Sequence, residues 1–149
     1  MLNVQSNFQL LSQNPSIQWE DIQLNLHKDW YWDYLGCHPN ITWEIIQGHP
    51  EINWHWSFVT DNPNITYEII QDNPNEPWDW NVFSQHVNMT QEFVIDHAND
   101  DLNWHEVSVH PAITWQFVQD HPDYPWNRQR LSLNPNITLP LVESEDHDW

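Results

Sequence analysis

A proline preceded by asparagine or histidine recurs along this chain, and its spacing limits the length of any regular element. From residue 38 onward the dipeptides start at residues 38, 49, 62, 73, 110, 121 and 134, with His86-Val87 and His97-Ala98 as degenerate copies, and successive starts lie alternately 11 and 13 apart. Proline removes an amide donor and pushes its predecessor out of the α region, so only one short element of about seven to nine residues fits between two of them. Two such elements make a unit of 11 + 13 = 24 residues. The same period runs through the side chains. Trp19, Trp43, Tyr67, Gln91, Trp115 and Leu139 stand in one column. Thr42, Thr66, Thr90, Thr114 and Thr138 precede it, and Ile22, Ile46, Ile70, Val94, Val118 and Val142 follow it. A gapless period of this size marks a repeat architecture.

Both halves of the repeat read as helix. In the first half, Thr42 suits an N-cap, Glu44 meets the positive helix end, and Ile41 with Ile46 makes a hydrophobic staple. Ile65 with Ile70 and Ile113 with Val118 repeat the staple. In the second half, Pro77 and Pro125 stand where a first helical residue is expected, ahead of Trp78, Val82 and Phe83. Strands are the competing assignment, since Trp, Ile, Val and Thr all favour them. The adjacent pairs Ile45-Ile46 and Ile69-Ile70 break the alternation a strand requires. One pair of short helices cannot bury its own apolar face, whereas stacked copies can. The expected fold is therefore all-α: an α-solenoid of five to six 24-residue helical-hairpin repeats. It forms a single repeat domain over 1–149, with a degenerate half-repeat at 1–13, repeats over 14–142 and an acidic tail at 143–149.

Charge narrows the function. The chain has 22 acidic residues against 3 basic ones and a formal net charge of −19. Nucleic-acid affinity depends on cations meeting phosphates, so nucleic acid and anionic membrane are excluded as partners. One cysteine, Cys37, rules out an internal disulfide framework and a cysteine-based zinc site. Its column holds Gln13, Asp61, Gln85, Val109 and Leu133, which predicts an exposed thiol. No apolar run reaches the ~18–20 residues of a membrane span, and Met1 to Leu11 lacks the pattern of a secretory signal. The expected location is intracellular, in host cytoplasm or virion, and not secreted.

The segments HPNITWEIIQ at 38–47, NPNITYEIIQ at 62–71 and DNPNEPWDW at 72–80 resemble the tryptophan-rich repeat proteins of giant, mimivirus-like DNA viruses, in which such half-units alternate. The resemblance covers residues 12–142 and departs at Gln91, Leu102, Arg128 and Leu139, where an aromatic is expected. It implies a viral protein and carries no catalytic residues with it.

Several residue sets invite a site. His38, His49, His86, His97, His110 and His121 occupy the punctuation position that elsewhere holds Asn62, Asn73 or Asn134. Asparagine and histidine both hydrogen-bond backbone near helix ends, so these rings read as a turn ladder and no metal is expected. Asn40, Asn64, Asn88 and Asn136 match the glycosylation pattern but read as turn residues ahead of a capping threonine. Near-absence of glycine, two in all, leaves no phosphate-cradling loop. No cofactor and no catalytic group is expected; the chain reads as a non-enzyme. The leading function is a non-catalytic scaffold that binds a protein partner, a basic one on the charge argument, through one long face, as a monomer or with weak self-association. Glu44, Glu68 and Glu92 form an acidic column suited to a basic partner, and one tryptophan of each i, i+2 pair should point outward, with Trp54 and Trp78 as candidates. A virion or self-assembling component and an acidic nucleic-acid mimic are the alternatives.

Overall fold

The computed structural model describes residues 7–138, and these contain eleven short α-helices and no strand. The expected acidic tail, 143–149, and the helix that would follow Thr138 lie outside the described residues. The chain groups into two compact units, residues 1–79 and 80–149. The 24-residue register runs unbroken through the boundary in sequence.

The first unit holds α1 (Asn7–Leu11), α2 (Trp19–Gln23), α3 (Trp32–Gly36), α4 (Trp43–Gly48), α5 (Trp56–Thr60) and α6 (Tyr67–Asp72). The second holds α7 (Trp80–Phe83), α8 (Gln91–Asp96), α9 (Trp104–Val109), α10 (Trp115–Asp120) and α11 (Arg128–Leu131). These are four to six residues long, shorter than the proline spacing alone allows. Two kinds of turn take up the difference. Before each first-half helix, a turn over the Asn/His-Pro dipeptide closes with bonds such as Ile41 N–H to His38 O and Ile65 N–H to Asn62 O, at 3.0 and 2.9 Å. Proline is well placed at the second position of such a turn. Before the second-half helices, a three-residue turn closes from Trp78 N–H to Glu76 O and from Trp126 N–H to Tyr124 O, at 2.8 and 2.7 Å. Pro77 and Pro125 sit at the centres of these turns rather than at a first helical position. The reason is that the inverse γ-turn wants a central φ near about −75°, close to proline's own value.

Capping also differs from the expected uniform pattern. Thr66, Thr90 and Thr114 accept the amides of Ile69, Phe93 and Phe117. Thr42 holds the extended backbone of an N-cap without a side-chain cap, and its hydroxyl bonds the Glu44 carboxylate. Gln18 makes no side-chain cap either. Asn103 and Asn127 cap two second-half helices through the amides of Glu106 and Arg130. The staple residues Ile41, Ile46, Ile65 and Ile70 are buried, as is Val59, in the first unit, and Ile113 and Val118 are buried, as are Phe83, Phe93 and Val107, in the second.

Such short helices are marginal in isolation, so their stability rests on neighbours. Within each unit, side chains tie one repeat to the next at fixed offsets. The Ser12 hydroxyl donates to Phe8 O and accepts from Tyr31 N–H; Thr60, Ser84 and Ser108 do the same with Trp56 O and Asp79 N–H, Trp80 O and Asn103 N–H, and Trp104 O and Asn127 N–H. All four hydroxyl residues are fully buried. Gly36 stands in the same column because a Cβ there would meet Phe58 Cβ at 3.3 Å. The aromatic rings form a second link. Phe8 meets Trp30, Trp32 meets Trp54, Trp56 meets Trp78 and Trp104 meets Trp126, each edge to face with centroids 5.1 to 5.5 Å apart. Each such pair contributes about 0.5–1.5 kcal/mol beyond its buried area.

Candidate interaction surface

The two rows of punctuation residues look alike in sequence and behave differently. The first row comprises Asn14, His38, Asn62, His86, His110 and Asn134. Each side chain accepts the amide two residues ahead: Ser16, Asn40, Asn64, Asn88, Ala112 and Asn136 respectively. At four of them the far end of the side chain also reaches the preceding repeat. His38 Nε2 lies 3.1 Å from Asn14 O and His110 Nε2 lies 3.0 Å from His86 O. The Asn62 amide reaches Gly36 O, His38 O and Ile41 O, and the Asn134 amide reaches Ser108 O and His110 O. His38, Asn62, His86 and Asn134 of this row are buried.

The second row comprises Asn25, His49, Asn73, His97 and His121. Asn25 and Asn73 donate to the carbonyl four residues back, and His121 Nδ1 faces Phe117 O at 3.0 Å. His49 and His97 turn instead to Glu51 and Asp100, at 2.8 and 2.7 Å. Here the backbone carbonyl is the anchored group, since Trp30, Trp54, Trp78 and Trp126 donate their indole N–H to Asn25 O, His49 O, Asn73 O and His121 O. The expected turn ladder is thus two ladders. No group of three or more His, Cys, Asp or Glu among the described residues could hold a metal ion.

The sequon asparagines belong to the inter-repeat bonding too. The Asn40 amide donates to Pro15 O and Ile17 O, Asn64 to Pro39 O and Ile41 O, and Asn136 to Pro111 O and Ile113 O. A glycan on that nitrogen would remove these bonds. Ala112 lacks such an amide, and Gln91 works from the other side, donating to Ala112 O and Thr114 Oγ1. One departure from the aromatic column thereby accompanies another departure one repeat on.

Of the expected partner-contacting residues, Glu44, Glu68 and Glu92 are exposed on α4, α6 and α8. The carboxyls of Glu44 and Glu68 are held below the usual range: for Glu44 first by the Thr42 hydroxyl, for Glu68 first by its own amide and then by Thr66. Trp54 and Trp78 do not point outward. Each is 7 % exposed, with its indole N–H spent on a carbonyl. Their position follows from the three-residue turn, which aims the first tryptophan of each pair inward to reach the carbonyl five residues back. The half-exposed members are Trp32, Trp56, Trp80 and Trp104. Cys37 is half-buried rather than exposed, and burial together with Asp61 pushes its thiol pKa up, which disfavours a reactive thiolate. The second unit also carries a cationic feature. Arg130 pairs with Glu106 at 3.1 Å and donates to His105 O, while Arg128 is exposed. The Glu106 carboxyl is held low, first by His105 and then by Arg130.

No protein-family model, curated protein or solved structure matches this chain. No helix among the described residues is long and apolar enough to cross a membrane.

Proposed function

We propose that the chain is a non-catalytic repeat scaffold of viral origin that binds a basic protein partner, with Glu44 and Glu68 contributing from the first unit and Glu92 from the second. The observation that supports this is a division of labour within the repeat. The tryptophan, hydroxyl and first-row turn columns are engaged internally, while the glutamate column stays exposed at successive repeats. With 22 acids against 3 bases, a cationic partner relieves repulsion among these carboxylates and is steered in by the field. The outward edges of Trp56 and Trp80 add apolar contact area. The viral assignment rests on the HPNITWEIIQ and DNPNEPWDW motifs.

Capture from infected-cell lysate with the wild-type chain and with the E44Q/E68Q/E92Q variant tests the proposal, with washes at low and high salt. Basic proteins held by the wild type and lost by the variant support it. An unchanged set of partners on the variant overturns the acidic column, and recovery of this chain alone moves the function to self-assembly.

A further inference from the structure

Three histidines of the first turn row are fixed in one protonation state by backbone groups whose roles cannot change. Nδ1 of His38, His86 and His110 lies 3.1, 3.1 and 3.0 Å from the amide nitrogens of Asn40, Asn88 and Ala112. A backbone N–H only donates, so each Nδ1 carries no proton. Nε2 of His38 and His110 faces the carbonyls of Asn14 and His86, which only accept, so there the proton sits on Nε2. A second proton has only Nδ1 to occupy, where it would point at an N–H. One uptake would turn the turn-closing bond from attractive to repulsive, and the ring would have to leave its site.

The surroundings oppose that proton further. His38 and His86 are 6 % and 3 % exposed. The His86 ring stacks on Phe83 with centroids 5.0 Å apart. His110 is held below the usual histidine range, first by burial; its bond to His86 O opposes that shift and the His86 ring one repeat earlier adds to it. The titratable group next to His38 is the Cys37 thiol, with Asp61 and Asp33 acting on that thiol. Neither His38 nor His110 takes part in an ion pair among the described residues. The second row contrasts at each point: Nδ1 of His49, His97 and His121 faces a carboxylate or a carbonyl, and a proton there is accommodated.

We infer that His38, His86 and His110 form an acid-sensitive latch on their turns, which at His38 and His110 also holds the preceding repeat, closed while the rings are neutral and released when they take a second proton. A group whose folded affinity for protons is below its unfolded one stabilises the fold above the unfolded pKa, about 6.5 for histidine. That stability is lost as pH falls from there through the lower folded value. The second row serves as the reference, so the latch is read by comparison between the two variants. Asparagine is the fitting replacement, because the same row uses it at 62 and 134 to make both bonds without a titrating proton.

The test is the melting temperature of the full chain at pH 7.5 and 5.5, for the wild type, H38N/H86N/H110N and H49N/H97N/H121N. The wild type and the second variant should lose roughly 5–10 °C on acidification, and the first variant should not. A first variant that loses as much as the wild type, or a wild type that loses no more than it, overturns the latch. Should the first variant not fold, nitrogen NMR of wild-type imidazoles decides. His110 should stay neutral until the folded signals vanish, and its titration near the ordinary value in a still-folded chain overturns the inference.

Discussion

The turn before each first-half helix and the turn after it use the same residue types, asparagine or histidine followed in most copies by proline, yet they are anchored through opposite parts of the residue. In the first row the side chain is the anchor: Asn62 is fully buried and its amide serves three carbonyls of the preceding repeat. In the second row the backbone carbonyl is the anchor, held by an indole N–H, and the side chain makes a local bond near the surface. The lesson is that residue identity at a turn does not say which atoms carry its energy. That depends on whether the turn faces a neighbouring repeat or solvent.

The sharpest break in this comparison comes from the tryptophans. Trp78→Ala should cost about 3–5 kcal/mol in urea unfolding, since it removes a buried ring and orphans Asn73 O. Trp78→Phe keeps most of the ring and should cost about 1–2 kcal/mol, which isolates the carbonyl anchor. Asn62→Ala should follow, at about 2–4 kcal/mol, because several buried carbonyls lose their donor at once. The matched change in the second row, Asn73→Ala, removes an i−4 bond and the Gln47 contact and should cost about 1 kcal/mol or less. Equal losses for Asn62→Ala and Asn73→Ala in the same assay would abolish the distinction between the rows. The smallest effect belongs to Arg130→Ala. Its half-exposed pair with Glu106 should be worth about 0.5–1 kcal/mol at low salt. That contribution is present above the ordinary carboxyl range and lost as pH falls through the lowered Glu106 value, so wild type and variant should converge in acid.

Much of the core was legible beforehand. Ile41, Ile46, Ile65, Ile70, Ile113 and Val118 fall where the staple and the period place them, and each is buried. The exposure of Glu44, Glu68 and Glu92 also follows, because a residue in a helix's first turn opposite the staple faces water. The tryptophan pairs were not legible. Residues two apart cannot share a helical face, but nothing in the pair Trp54 and Trp56 says which one goes inside. The choice is made by the turn that brings the Trp54 indole onto His49 O, and by its edge-to-face contact with Trp32. Phe8 belongs to the same ring series. An offset of 22 from Trp30, matching that of Trp54 from Trp32, was the available signal. The two histidine rows were pooled for a similar reason: a one-dimensional pattern registers the residue and its spacing, not the direction of its hydrogen bonds.

What the sequence determined by itself is the period, the helical character of both half-units and the apolar face of each. These follow from proline stereochemistry, capping chemistry and periodicity, all of which act over a few neighbouring residues. What the tertiary structure decided is every bond that spans an offset of 19 to 26 residues: hydroxyl to amide, ring edge to ring face, asparagine or histidine to the preceding repeat. Such contacts depend on how far one repeat is displaced and rotated against the next. That displacement is set by packing of the whole repeat, so no local stretch of sequence encodes it.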